Sequence, residues 1–403
     1  MFEVMPTPGR RARMQRQVGR EVVIVDAVRT PIGKGHPEKG WFASTHANEL
    51  LGATFLALIE RTGIEPTLVE DVIAGCVQQY GEQMFNVARN SWLQAGLPVE
   101  TPATTVERQC GSAQQAVNFA AAQIAAGVHD VVIASGVEHM GHVPMGVGWR
   151  WTDDVGSPWP PELLARHQLI PQGLSAELIA DKWQLPREEL DEFSARSHRL
   201  AHQATQDGRF EREIISMQVA GETVRTDQGI RPGTSVAELG KLKPAFREDG
   251  RLTAGNSSQI SDGAAAILLM AGERARELGI PARGRIVDQT TVGVDPIMML
   301  TGPIPATRRI LERNGMTIDD FDLIEINEAF ASVVLAWQRE LDPDMDRVNV
   351  NGGAIALGHP LGSSGARLIA TLVHELERSD CSLGLVTMCC GGGLGTATLI
   401  ERA

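Results

Sequence analysis

Long apolar runs are missing from this chain. None of its 403 residues belongs to an uninterrupted apolar stretch approaching the ~18 residues that a membrane span needs. A surplus of positive charge is missing too. The formal net charge of −13 argues against nucleic acid as a partner and leaves room only for a local basic patch facing an anionic ligand. Cysteine is sparse: Cys76, Cys110, Cys381, Cys389 and Cys390 are odd in number and irregularly spaced, so no disulfide framework is encoded. Such usage fits a reducing compartment, here the cytoplasm. The adjacent pair Cys389-Cys390 is not a zinc-ligand spacing either. The first twenty residues lack the apolar core of a secretory signal. They carry Arg10, Arg11, Arg13, Arg16 and Arg20 with Glu3 as the only acid, and residues 1–20 are expected to form a disordered extension rather than a transit peptide.

What the chain does have is ordinary in bulk and unusual in three places. Hydrophobic content of 43% with 22% charged residues suits a globular protein, and 403 residues call for two or three domains. Near the end, His359 sits in the glycine-dense run Asn351–Gly362, and thirty residues later Cys389-Cys390 lead into Gly391-Gly392-Gly393-Leu394-Gly395. Glycine lets backbone approach a ligand closely and tolerates positive φ. Far upstream, Arg108-Gln109-Cys110-Gly111-Ser112 forms the third place.

Pattern supplies the elements. Glu21–Ala27 reads as a buried strand, Ala47–Arg61 as a helix and Val69–Val77 as a second strand. Thr104–Arg108 is expected to run as a strand into Cys110, followed by the alanine-rich helix Ala113–Ala126 and the strand Asp130–Gly136. That places Cys110 at a strand-to-helix junction, where helix N–H groups and the dipole are expected to lower a thiol pKa. From about residue 141 the alternation stops: Trp149, Trp151 and Trp159 cluster among prolines, and a charged helix follows over about residues 187–208. Strand and helix then resume with Ile286–Asp288, the helix Pro305–Asn314, the strand Phe321–Ile326 leading to Asn327, and the strand Leu383–Met388 ending at Cys389. The order Thr104–Cys110, helix, Asp130–Gly136 looks like Val348–Gly353, helix, Ser382–Cys389, so the chain reads as a duplicated strand–helix unit with a large insertion in its first copy.

Two cysteines, a histidine and two glycine loops suit acyl transfer through a thioester. One cysteine attacks and carries the acyl group, the histidine deprotonates it or donates to a carbonyl oxygen, and the second cysteine moves a proton at substrate carbon. The N–H groups of Cys110 and Gly391 could form an oxyanion hole. Plainer readings stand beside these. His359 could be a loop histidine bonded to its neighbours, Cys389 a core thiol, and Asn327 a helix cap. Gly391–Gly395 is only a weak dinucleotide-motif lookalike.

Several separate motifs, in order and spanning the chain from Glu21 onward, resemble the thiolase family of coenzyme A-dependent acetyltransferases and 3-ketoacyl-CoA thiolases. They are Arg108-Gln109-Cys110-Gly111-Ser112, Ala254–Ser258 with Asp262–Ala266, Thr301-Gly302-Pro303, Asn327-Glu328-Ala329-Phe330, Gly358-His359-Pro360, and Cys389 one residue before Gly391-Gly392-Gly393. The resemblance implies an α/β fold of duplicated halves in α-β-α-β-α layers with an inserted loop domain. It implies an N-terminal half of residues 21–139 plus 260–282, a coenzyme A-binding insert of 140–259, and a C-terminal half of 283–403. Cys110 would be the acylated nucleophile, His359 its activator and an oxyanion donor, and Asn327 the holder of a water in that hole. Cys389 would be the acid/base at the acetyl-CoA carbon, with Gly391 in the second hole. Arg231, Ser258, Gln172, Met299 and Phe330 would line the substrate and coenzyme A path. Coenzyme A would be a substrate, with no bound cofactor and no metal or nicotinamide required, and the assembly a homodimer or homotetramer. Gly111, Gln172, Gln259 and Leu300 depart from the usual pattern where the acyl chain or pantetheine would pass, and Gln259–Asp262 with Asp344–Arg347 look like bacterial sterol side-chain thiolases. A thiolase-like lipid carrier needs none of the four reactive residues, and a ketosynthase-like enzyme would set a second histidine or an asparagine opposite the nucleophile.

Overall fold

The computed structural model describes residues 19–149 and 156–403. Trp151 and nearly all of the arginine-rich leader lie outside them. Arg20 does not belong to a loose tail: its backbone N–H bonds to Ala125 O, and its guanidinium pairs with Asp130 at 2.7 Å and Glu273 at 2.5 Å.

The first half contributes β1 (Val22–Arg29), α1 (Ala47–Thr62), β2 (Asp71–Gly75), α2 (Val87–Gln94), β3 (Ala103–Val106), α3 (Ser112–Ala125) and β4 (Val131–His139). After the insert, which carries α4 (Gln172–Lys182) and α5 (Arg187–Gln206), β5 (Ser261–Ala271) completes it. The second half repeats the plan with β6 (Gly284–Gly293), α6 (Pro303–Asn314), β7 (Leu323–Ile326), α7 (Ala331–Leu341), a single helical turn α8 (Ala354–Leu357), α9 (Ser364–Arg378), β8 (Leu383–Cys390) and β9 (Leu394–Arg402). The strand path β7-β8-β9-β6-β1-β5-β4-β2-β3 reads the same way outward from its centre, so each half uses one strand order. The halves join at β1 and β6 through two antiparallel register pairs, Val23↔Arg285 and Ile24↔Gly284. One expected strand is absent. Val348–Gly353 is a turn that keeps one parallel bridge, Ile324↔Val348, because Asn349 turns to positive φ immediately after it.

Each layer follows from which faces are apolar. α3 and α9 are packed together between the two half-sheets, in a core shared by Ile24, Ile267 and Leu269 on one side and Val386, Met388 and Ile400 on the other. A helix buried nearly all round must be apolar or small on every face. Accordingly Ser364–Leu376 of α9 are all buried, and α3 carries Ala113, Ala116, Ala120 and Ala121. Arg367, His374 and Glu375 are the charged or polar exceptions in α9, and each has a partner: Arg367 lies 3.5 Å from buried Glu325, His374 Nε2 bonds Ala27 O at 2.8 Å, and Glu375 accepts from Asn351 Nδ2 at 3.0 Å. On the outer faces, α1 and α2 cover the first half with Leu50, Phe55 and Trp92, and α6 and α7 cover the second with Ile310, Val334 and Trp337. The result is helix, sheet, helix pair, sheet, helix.

Two glycines set how closely the central pieces meet. A Cβ on Gly75 would come within 2.3 Å of Ala113 N, and one on Gly136 within 2.1 Å of Gly362 O. Without side chains at these strand positions, the start of α3 and the His359 loop both reach the sheet.

Candidate active site

Cys110 ends the connection from β3 to α3. Gln109 before it is in the left-handed region at φ 48°, so the chain turns sharply and presents the cysteine ahead of the helix. The turn is fixed by its own bonds: Ser112 Oγ donates to Gln109 O at 2.6 Å and accepts from Arg108 N at 2.8 Å. The N–H groups of Gly391 and of Cys110 itself lie near the thiol and favour its charged form, yet burial outweighs both and pushes its pKa up to about 11. The expected lowering by the helix start is therefore reversed: at neutral pH this thiol needs a base.

His359 is placed by the opposite half. Its N–H donates to Gln259 O at 3.2 Å and Ser261 Oγ at 3.1 Å. Its ring is held by a chain of bonds in which Ser364 Oγ donates to Pro360 O at 2.8 Å and accepts from Nδ1 at 2.6 Å. That leaves the Nε2 lone pair free to accept from Asn327 Nδ2 at 3.3 Å. Burial, with Arg367 adding to it, pushes His359 down to about 3, so the ring is neutral at working pH. Asn327 Oδ1 is buried with no protein partner. It leaves an acceptor aimed at the site.

Cys389 and Cys390 close β8 against Cys110, and burial and the nearby Cys110 sulfur both hold their thiols well above the ordinary range. A Cβ on Gly391 would lie 2.5 Å from Gln172 Nε2 and 3.1 Å from Gln109 Oε1, so both carboxamides lean over this glycine. Cys110, Cys389, Gly391 and Gln172 are thus brought into one group, and His359 and Asn327 into a bonded pair. Phe330 and Ser258 share a third: Ser257 bridges Phe330, Ser258 N–H donates to Ala329 O at 2.9 Å, and Phe330 meets Phe246 edge-on at 5.6 Å. Met299 is buried in the same apolar cluster as Cys389. Arg231 stands apart on the exposed surface of the insert, its N–H bonded to His198.

Three departures from the usual thiolase pattern acquire packing reasons. Gly111 faces Cys390, whose sulfur would be 2.6 Å from an added Cβ. Leu300 is fully buried in the core beneath α7. Gln259 spends its side chain on backbone carbonyls. Sequence reading also left Ser364 and Glu328 without roles. Ser364 holds His359, and buried Glu328 accepts from Ser197, Asn349 and the Ile355 N–H, tying the Asn327 segment to the His359 loop. A serine five residues after the histidine was the available signal for the first; the partners of Glu328 are too distant in sequence to leave one.

Residues 22–273 match the model of the thiolase N-terminal domain, and residues 280–402 that of the thiolase C-terminal domain. The chain belongs to the thiolase family. This thiolase is 46% identical over 388 residues to the steroid 3-ketoacyl-CoA thiolase FadA6 of Mycobacterium tuberculosis, covering 95% of this chain and 94% of that one. It is also 46% identical over 393 residues to a 3-ketoacyl-CoA thiolase of Idiomarina loihiensis, covering 95% and 100%. Among solved structures it resembles the acetyl-CoA acetyltransferase of Bacillus anthracis, with a TM-score of 0.87 and 39% identity over 96% of this chain and 100% of that one. The enzyme is an acyltransferase of this class, and neither the carrier nor the ketosynthase reading is favoured.

Proposed function

We propose that this thiolase cleaves 3-ketoacyl-CoA with coenzyme A to acetyl-CoA (or propionyl-CoA) and a shortened acyl-CoA, or runs the reverse condensation, through an acyl-thioester on Cys110. The observation that carries this reading is the close meeting of the two halves around Cys110, where the Gly391 turn lies against Gln109 and Cys390 against Gly111. Cys110 Sγ bonds to the C3 carbonyl carbon while its proton passes to His359 Nε2, in place of the bond from Asn327 Nδ2. The C2–C3 bond then breaks, and the acetyl-CoA enolate takes a proton from the Cys389 thiol. An incoming coenzyme A thiol returns a proton to Cys389, attacks the thioester and leaves Cys110 to recover its proton from His359. The C3 oxygen, which is attacked in both steps, would lie toward the Gly391 N–H beside Cys110, and the thioester oxygen of the acetyl-CoA enolate toward His359 and the water-holding Asn327. Arg231, Ser258, Gln172, Met299 and Phe330 line the proposed coenzyme A and acyl path, with residues 140–259 as the coenzyme A-binding insert.

Intact-protein mass spectrometry after brief mixing with acetoacetyl-CoA tests the mechanism. A two-carbon adduct absent from Cys110→Ser supports it, and no adduct with acetoacetyl-CoA or any longer or steroid-derived ketoacyl-CoA rejects it. An adduct formed only with the bulky donor would assign a steroid-type substrate, like that in the mycobacterial relative's name.

We infer that the enzyme works as a homo-oligomer in a reducing compartment. Phe85 is 91% exposed and held outward at φ 57°, with Tyr80 and Met84 about half-exposed beside it. The neighbouring β3 is the open edge of its half-sheet, and burying such an apolar surface against a second copy is favourable. Among the described residues no helix is long and apolar enough to cross a membrane. Light scattering of wild type and Phe85→Asp is expected to show at least a dimer that weakens in the variant; a monomeric wild type rejects the inference.

A further inference from the structure

We propose that Gln259 is a positioning residue, whose carboxamide locks the His359 loop to the insert and thereby sets the turnover rate rather than substrate affinity. The proposal rests on His359 acting as base in the reading above. Three carbonyl oxygens surround Gln259 Nε2: Gly229 O at 3.0 Å, Ile355 O at 2.9 Å and Ala356 O at 3.0 Å. Of the two ends of the carboxamide only the NH2 can face carbonyl oxygens, its two hydrogens shared among the three, so its orientation is fixed. Gly229 belongs to the insert, two residues before Arg231, whereas Ile355 and Ala356 form the helical turn α8 that leads directly into Gly358 and His359.

The same residue holds the loop a second time through its backbone. Gln259 O accepts from His359 N–H and, at 2.8 Å, from Ser261 Oγ, which itself accepts from His359 N–H. On its other side the segment is sewn to the residues after Asn327: Ala331 N–H donates to Asn256 O at 3.0 Å, Ser257 bridges Phe330, and Ser258 N–H donates to Ala329 O. One short stretch, Asn256–Ser261, therefore spans from the Asn327 segment to the His359 loop, and two of its side chains tie it to the insert: Asn256 Nδ2 donates to Asp191 Oδ1 at 2.9 Å, and Gln259 Nε2 reaches Gly229 O beside the His359 loop. α8 is a single turn, too short to hold its own shape, and Gly358 at φ 113° joins it to His359 in a conformation that glycine adopts without strain. Without the carboxamide the turn keeps its link to Glu328 and the packing of Ala356 and Leu357 on Ala201 and Ala204 of α5, but loses the hydrogen-bonded link through Gly229 that fixes its carbonyls. A displacement of His359 by about 1 Å is enough to cost on the order of 100-fold in rate.

The test compares wild type with Gln259→Met, which keeps length but cannot donate, and Gln259→Gly, which leaves room for water at the three carbonyls. Turnover of acetoacetyl-CoA is expected to fall about 10- to 100-fold in Gln259→Met with KM within about twofold, and less in Gln259→Gly. Amide hydrogen exchange at residues 354–359 is expected to quicken about tenfold or more in Gln259→Met, with exchange in β4 and β8 unchanged. Exchange is read whether or not the wild type is a thiolase, so a wild type without turnover but with the quickened loop in Gln259→Met would reject the reaction and keep the tether. Unchanged exchange at 354–359 in a folded variant overturns the proposal. A loss carried in KM rather than kcat overturns it as well, because that pattern belongs to a substrate contact. Should Gln259→Met fail to fold, Gln259→Gly carries the same two readouts.

Discussion

The two halves of the molecule follow one strand order but spend one connection very differently. Between the fourth and fifth strands, the first half runs out from His139 and returns at Ser261 with the whole insert between, whereas the second turns in three residues, Gly391–Gly393. The strand pairs at that corner correspond: His139↔Asp262 in the first half, Cys389↔Gly395 and Cys390↔Leu394 in the second. The third strand differs in the complementary sense. It is a real strand before Gln109-Cys110 and a single bridge at Val348 before Asn349, yet both following residues are left-handed, at φ 48° and 47°. A shared backbone turn thus presents Cys110 from one copy, and begins the long loop to His359 in the other. Duplication supplies two similar corners; unequal loops give them unlike chemistry.

The largest effect should come from separating the two cysteines that the halves contribute. If Cys110 carries the acyl group and Cys389 only moves a proton, Cys389→Ala should still accept an acetyl group from acetyl-CoA, a step that breaks no carbon–carbon bond. Its turnover of acetoacetyl-CoA should nevertheless fall by ~10³-fold or more. Cys110→Ser should lose both. Rapid-quench mass spectrometry alongside steady-state rates reads the two steps, and a Cys389→Ala enzyme with wild-type turnover would remove the division of labour.

A smaller effect joins the halves at Gly111 and Cys390. Serine at 111 alone would drive Cβ into the Cys390 sulfur and should cost about 1–3 kcal/mol of stability as overpacking. Adding Cys390→Ala removes the obstructing atom, so the double variant should recover most of that loss in chemical denaturation. Additive penalties would mean that the contact is not what keeps residue 111 a glycine.

Much of this was legible before the fold. Elements with a strong period or an alanine-rich run, such as α3 and β4, fell within a few residues of expectation, and the residues proposed to react stand among conspicuous glycines. Val348–Gly353 misled because its apolar pattern suits a strand, while the turn at Asn349 depends on side-chain bonds to Ile326 and Glu328 that no local pattern reveals. Cys110 misled in another way. Helix N–H groups lower a thiol pKa, but how deeply the sulfur is buried is a tertiary quantity, and here burial wins. Gly111, Gln259 and Leu300 looked like substrate-facing departures because sequence places them beside the motifs. Only coordinates give each its packing partner.

The smallest effect sharpens the comparison at the corner itself. In the first half the corner pair carries titratable groups: Asp262 is fully buried, its Oδ1 accepts from Gly141 N–H at 2.8 Å and lies 3.4 Å from His139 Nδ1, and its Oδ2 has no partner. Burial pushes this carboxyl up to about 7, against the nearby His142 and backbone N–H groups, which pull it down. A raised carboxyl pKa means that the folded protein holds a proton the unfolded chain has released. Its contribution is fully present below about pH 4 and is lost as pH rises toward 7. In the second half His359 has the opposite sign: held neutral, it leaves stability intact above about pH 6.5 and lowers it as pH falls toward 3. Asp262→Asn removes the first dependence and leaves the second. The variant should therefore gain on wild type by about 1 kcal/mol or more at pH 8 and by less at pH 5, measured by urea denaturation at both. A gain independent of pH would mean that the carboxyl is ionised throughout, in which case the imidazoles of His139 and His142 near it must supply the compensating charge.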